Sequence, residues 1–247
     1  MFEVAWCVML YLTVLALEFS PAVFERFRMQ KPLKLLKAIT IPLVIVGVLL
    51  STLHQSSLGS LFLIVPSKLH PYWYSPLLPL FFFISAVGVG MAMVIFESNL
   101  SARAFGLQIE MPLLATLGKA MAVVLALYGI LRFQDLWARG ALVNLREPST
   151  ETLLFVLEIA LGVLVPLFLL LLRRVREDRE GLFAAAVLVI TGFLLNRLNV
   201  SITGLEYSAQ AHYFPKWTEV AVTLSIVGTG FLCFGLATRY LRVFEAE

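Results

Sequence analysis

The residues able to do chemistry are few, and most stand inside apolar sequence. His54 opens the run His54-Gln55-Ser56-Ser57-Leu58-Gly59-Ser60. An imidazole bonds a carbonyl and exchanges protons near neutral pH, and hydroxyls beside it extend a relay. Glu158 is a single carboxylate between leucines, valines and a phenylalanine. Arg132, Gln134 and Asp135 follow one apolar run, and Asn196, Arg197 and Asn199 follow another. Glu3 stands at the start of the chain. Hydrogen bonding and proton transfer are within reach of this set. Other chemistries lack their residues. Only one histidine, His54, falls in an apolar run, whereas a bis-histidine haem needs two. There is no H-E-x-x-H run, no G-x-x-x-x-G-K-[ST] loop and no G-x-S-x-G elbow. Cys7 and Cys233 are too few for a metal cluster or an iron–sulfur site. The sequence therefore predicts neither haem nor iron–sulfur cluster in this chain.

The elements that must position these residues follow from composition. Of 247 residues, 60% are apolar and 14% charged, and the mean hydropathy is +0.90. Soluble domains average about 45–50% apolar and about 25% charged, so a soluble single domain and a disordered chain are both excluded. The net charge of +3 fits basic cytoplasmic loops and does not call for nucleic acid. A bilayer core takes roughly 20 apolar residues of helix. Seven stretches meet that demand, at about 2–23, 38–58, 76–97, 113–134, 152–172, 182–198 and 217–240. The fold class is thus all-α, a polytopic transmembrane helix bundle, treated as a single transmembrane domain over 1–247.

Basic residues orient it. Lys68, Arg132, Arg139, Arg146, Arg197 and Lys216 fall on one side, and the other thirteen of the 19 lysines and arginines on the opposite one. The richer side is cytoplasmic by the positive-inside rule. The N-terminus is then periplasmic, the C-terminus cytoplasmic, and loops 66–75 and 199–216 face the periplasm. The second span is too long, since Ala38 to Val65 is 28 residues, or about 42 Å of helix against a core of about 30 Å. A tilted helix that ends or breaks near Gly59 is expected, with 61–65 at the outer interface. Tyr72, Trp73 and Tyr74 are expected at the headgroup level.

With that topology the polar residues gather at one depth. His54 lies roughly 25 Å above the cytoplasmic flank of its helix. Glu3, Arg132, Asp135, Glu158, Asn196 and Arg197 come to the same outer layer from four other helices. Ionisable groups inside spans usually face the bundle interior and serve a function. Simpler roles stand beside these. Arg132 and Asp135 have the spacing of an intrahelical pair, Arg197 has the reach to snorkel to headgroups, and His54 can donate to a backbone carbonyl. Glu18 and Glu97 lie towards the cytoplasmic side, either as steps of a proton path or as ion-pair partners of Arg26 and Arg103.

Several blocks resemble a known family. LALEFSPAVFERF (15–27), TLHQSSLGSLFLIVPSKLHPYWYSPLLPLFFFISA (52–86), MVIFES (93–98), ILRFQDL (130–136) and YFPKWTEV (213–220) look like the NrfD/polysulfide-reductase membrane subunits, most of all the HybB-type subunit of periplasmic nickel–iron hydrogenases. The resemblance implies a subunit without haem or iron–sulfur cluster. It implies docking of a periplasmic ferredoxin-like iron–sulfur subunit, and through it a hydrogenase large subunit. It implies electron exchange with menaquinone or ubiquinone near the periplasmic face. By likeness Glu3 and His54 fall on quinone and proton positions. Depth alone extends the set to Gln55, Ser56, Ser57, Arg132, Asp135, Glu158 and Arg197. Subunits of this kind carry about three further helices ahead of the position of Glu3, so the chain is expected to match their C-terminal two-thirds or so. A passive membrane anchor without its own quinone site is the alternative.

Overall fold

The computed structural model describes residues 2–146, 148–209, 213 and 215–241, and of Phe2, Glu3, Arg146 and Tyr207 the backbone alone. Glu3 and His212 as side chains thus lie outside the described residues. Among the described residues the secondary structure is helical, and seven helices are long and apolar enough to cross a membrane. The chain divides into two compact units, 1–54 with 212–247, and 55–211.

The first unit contains α1 (Phe2–Arg26), most of α2 (Gln30–Leu61) and, after the second unit, the last helix of the chain, Trp217–Tyr240. A three-residue turn makes α1 and α2 antiparallel, and Lys37 pairs with Glu25 across it at 3.0 Å. Glu18 faces α2, where its Oε1 would stand 3.2 Å from a Cβ on Gly47. Hydroxyls in these apolar helices are satisfied locally, as Thr13 donates to the Met9 carbonyl and Thr52 to that of Val48.

The second unit is a four-span bundle. It contains α3 (Leu78–Phe105), α4 (Met111–Ala138), and a broken third span built of α5 (Thr150–Ile159), a wide π turn (Ala160–Leu164) and α6 (Val165–Leu171). A short α7 (Arg173–Glu177) leads to α8 (Arg179–Leu198), a second π turn (Asn199–Thr203) and α9 (Gly204–Ala209). The last helix of the chain is α10. Local sequence sets the boundaries. Pro79 and Pro112 stand in the first turns of α3 and α4, where the missing N–H costs nothing. Ser149 and Asp178 cap α5 and α8, accepting from the Thr152 and Gly181 amides at 3.2 and 2.7 Å. Phe81, Ile95, Met121, Leu125, Val189 and Phe193 form the core between the spans.

The second helix ends near Gly59 as expected, at Leu61, and Gly59 lets it touch the start of α3, where a Cβ would come within 2.9 Å of the Pro79 Cα. Two expectations change here. The sixth span does not end at Leu198 with a loop from 199. The π turn carries it on to Ala209, so the expected loop is helical over most of its length. The polar side chains of 196–203 suggested a loop, but here they bond within the helix and to the bundle. Arg103 binds Glu180 on α8 at 2.6 Å, not Glu97. Arg179 donates to the Asn99 amide oxygen at 2.9 Å at that same end. The segment between α2 and α3 lies at the opposite end, where His70 N–H donates to the Gly204 carbonyl at 2.9 Å.

The closest helix approach joins Gly162, in the first π turn, to Gly192 on α8. A Cβ on Gly192 would lie 2.2 Å from the Gly162 nitrogen, on backbone that cannot rotate away. Gly192→Ala is expected to destabilise the bundle by about 1–3 kcal/mol, seen as a lower melting temperature in detergent. Gly90→Ala, where a Cβ meets open space, is expected to be neutral or better by the same measurement.

Candidate functional site

The site is built around Glu158, at the end of α5 and 3% exposed. A carboxylate at this depth has no water to replace its hydration. Three neutral donors do so instead. Trp73 Nε1 donates to Oε2 at 2.8 Å, Asn199 Nδ2 to Oε2 at 2.9 Å, and Asn196 Nδ2 to Oε1 at 2.6 Å. Asn196 lies in the last turn of α8 and Asn199 opens the second π turn. Their three-residue spacing puts both amides on one helix face. Trp73 comes from the segment between α2 and α3, which folds into the bundle.

Arg197 extends the network. Its Nη1 donates to the Asn196 amide oxygen at 2.9 Å and its Nη2 to Ser85 Oγ at 2.6 Å, and its guanidinium lies 3.6 Å from the Phe82 ring centroid. It turns inward and does not snorkel, because Ser85, Asn196 and the ring face supply what headgroup water would. Arg132 is 2% exposed. Its Nη2 donates to the Tyr72 carbonyl at 2.7 Å and its guanidinium stands 5.0 Å from the Phe81 centroid, while Nε and Nη1 are buried without a partner.

Asp135 is not paired with Arg132. It binds Arg139, one turn further on, through Nε and Nη2 at 3.0 and 2.7 Å, and accepts from Ser75 Oγ at 2.8 Å. Arg139 also donates to the Pro71 carbonyl at 2.8 Å. An i,i+4 spacing lets the Arg139 guanidinium clasp Asp135 Oδ2 with two N–H groups, and Arg132 is left to donate to the Tyr72 carbonyl. These contacts tie residues 70–75 down. Tyr72 and Trp73 are wholly buried in the protein, since the indole N–H finds Glu158 and the Tyr72 ring stacks on Phe155 at 4.6 Å. The Tyr72 hydroxyl meets Thr152 Oγ1 at 2.9 Å.

The structure thus brings Arg132, Asp135, Glu158 and Arg197 together at one end of the second unit. His54 is the last residue of the first unit, and Gln55, Ser56 and Ser57 follow it on α2. The His54 Nδ1 is buried and has no hydrogen-bond partner. Ser56 accepts from Ser60 through its carbonyl at 3.2 Å. Sequence reasoning put Asn196 and Asn199 with the polar groups of the outer layer and had no place for Trp73, Ser75 and Arg139 as partners. The signal for them was the density of hydrogen-bonding side chains in KLHPYWYSP and NRLN. Beside Arg132 an apolar groove of about 650 Å³ runs between α4 and the broken α5–α6 span, from Leu142 and Leu145 past Phe155 to Ala126 and Leu167.

What this arrangement can do is hold a proton. A carboxylate bound by indole and amide donors is solvated without being neutralised, so it stays able to accept and release a proton. Among the described residues no cluster of three or more histidine, cysteine or carboxylate side chains could hold a metal ion.

The comparisons with known proteins agree with one another. A family model described as "Polysulphide reductase, NrfD" matches residues 2–208. The chain is 40% identical over 237 residues to a protein of Nitratidesulfovibrio vulgaris, covering 92% of this chain and 60% of that one. It is 33% identical over 247 residues to the "Probable Ni/Fe-hydrogenase 2 b-type cytochrome subunit" of Escherichia coli K12, covering 98% and 62%. It is 27% identical over 275 residues to the "Menaquinone reductase, integral membrane subunit" of N. vulgaris, covering 99% and 65%. The chain spans between 60% and 65% of the length of these relatives.

The His70 ring supplies a pH test outside the spans. Its Nδ1 accepts the Tyr72 amide at 3.2 Å, and burial holds its pKa below the usual 6.5, with Glu151 pulling the other way. In the unfolded chain the ring protonates first as pH falls. Folded stability is therefore constant above about pH 6.5, falls below it, and levels off beneath the lowered folded pKa. Melting temperature against pH in detergent should show that step. His70→Asn keeps an acceptor and cannot titrate, so its curve should lose the step.

Proposed function

The chain belongs to the NrfD polysulphide-reductase family, and from that premise we propose that it is the quinone-interacting membrane subunit of a respiratory oxidoreductase of the hydrogenase type. It is a multi-pass integral protein of the bacterial inner membrane, related to membrane subunits of a hydrogenase and of a menaquinone reductase. In this reading electrons pass between a periplasmic ferredoxin-like iron–sulfur subunit, attached to a hydrogenase large subunit, and menaquinone or ubiquinone. The N-terminus is periplasmic and the C-terminus cytoplasmic. The observation that carries the reading is Glu158. A passive anchor has no use for a buried carboxylate held in a protonatable state, and such a group is costly in a membrane.

The quinone supplies a two-electron, two-proton couple. The protein's residues divide the rest of the work. His54 fits the headgroup, since its buried Nδ1 is in want of a partner, and a carbonyl oxygen accepts from it in the tautomer protonated there. Gln55, Ser56 and Ser57, on the same helix, and Glu3 belong to the same relay. Glu158 holds and passes a proton, and Arg197, Arg132 and Asp135 fix the groups around it. The E. coli relative is named a b-type cytochrome subunit. In this chain His54 and His70 are the described histidines, with His70 turned to the Tyr72 amide, and the proposed cofactor is the quinone alone.

Two experiments test this. In the assembled complex, His54→Leu should lower quinone reduction by roughly one to two orders of magnitude, with Glu158→Gln affecting it in the same direction. Hydrogenase activity with a soluble dye should be unchanged, and no stoichiometric Soret band should be seen. Quinone reduction unaffected by both substitutions, with normal assembly, would leave the passive anchor. For orientation, Ser67→Cys in a background lacking Cys7 and Cys233 should react with a membrane-impermeant thiol reagent in intact cells lacking the partner. Reaction only after lysis would invert the topology.

A further inference from the structure

The groove between α4 and the α5–α6 span has features that the quinone reading leaves unused. We propose that it binds an anionic phospholipid, with the phosphate on the Arg132 guanidinium and one acyl chain along the groove.

The unmet donors of Arg132 are the first ground. Asp135 is committed to Arg139 and Ser75. Glu158 attracts Arg132 through space, but its hydrogen bonds come from Trp73, Asn196 and Asn199. Arg132 is left with a single carbonyl contact and two buried donors unfilled. A phosphate diester oxygen accepts a charge-assisted bond from either donor.

Shape is the second ground. Arg132 is the one charged residue lining the groove, and almost all the other lining residues are apolar. From Phe155 to Leu167 the groove follows twelve residues of helix, roughly 18 Å, a length suited to an acyl chain. Depth is the third. Phe133 and Trp137, 55% and 70% exposed, flank Arg132 on α4, and a tryptophan exposed at a span's end marks the headgroup level. The guanidinium therefore stands within a turn or so of lipid phosphates, and the groove descends from there into acyl-chain depth.

The test uses the full chain in its complex, purified in mild detergent and examined by native mass spectrometry, with phosphatidylglycerol, phosphatidylcholine and menaquinone as added probes. Wild type should retain phosphatidylglycerol in preference to the other two. Arg132→Gln should weaken that retention by about tenfold or more, the usual reach of a lost charge-assisted pair. Ala126→Trp fills the deep end of the groove and should weaken it without touching the guanidinium. Where Arg132→Gln fails to accumulate, Ala126→Trp decides alone. Retention unaltered by the substitutions, no preference over phosphatidylcholine, or menaquinone as the molecule released by them would each overturn the proposal. Because the readout is lipid retention, failure here leaves the His54 quinone site standing, and failure of that site leaves this one.

Discussion

A carboxylate carried to membrane depth must bring its own solvent, and that demand organises the second unit. Glu158 offers two oxygens, and three N–H donors converge on them from two separate segments. Leaving one such partner unmet costs about 1–3 kcal/mol, more where charge is involved. The segment between α2 and α3 cannot lie flat on the bundle while Trp73 reaches Glu158. It must dip, and the dip exposes its carbonyls to an apolar interior. Arg132 and Arg139 meet those carbonyls at Tyr72 and Pro71. Asp135 then holds Arg139, and Ser75 holds Asp135. Each later contact answers a need created by the one before it.

The helices can deliver the donors because two glycines let their backbones meet. α5 and α8 run antiparallel and touch at Gly162 and Gly192. Glu158 is four residues before the first glycine and Asn196 four residues after the second. In antiparallel helices both offsets lead one turn in the same direction, so the carboxylate and the amide arrive opposite each other. The π turns complete the fit. One follows Glu158 and the other begins at Asn199. A π turn adds a residue to the local register and is a recurring device at functional sites. Here the second one keeps the chain helical past Asn199 while that amide stays on the Glu158 side.

This explains which parts of the molecule could be read in the sequence. Hydropathy measures the cost of putting a segment into lipid, and all seven spans answered to it, since none depends on knowing its neighbours. Pairing did not follow. Arg132 and Asp135 have a spacing that permits a bond, and so do Asp135 and Arg139. Only the Ser75 and Pro71 contacts, made by a segment distant in sequence, decide between them. Tyr72 and Trp73 looked interfacial because free aromatic residues in a membrane protein are so. Their burial depends on Glu158, some 85 residues away. The run 199–209 looked like a loop because its polar groups were counted as exposed, whereas Asn199 is spent inside the bundle.

The three arginines of this end separate once their contacts are compared. Arg197 is fully engaged, by an amide oxygen, a hydroxyl and the Phe82 ring. Arg139 is engaged by the Asp135 carboxylate and a carbonyl. Both close off polar groups that the fold itself created, and their structural role accounts for every strong contact they make. Arg132 does the same for Tyr72 with one nitrogen, yet a lysine or an asparagine could supply that single bond at less desolvation. A guanidinium is the costlier choice unless its remaining edge has a partner. Among the described residues nothing accepts a hydrogen bond from its Nε or Nη1, and the groove lies alongside. The internal economy of the bundle therefore explains two of the three arginines completely, and the third only if something outside the chain completes it.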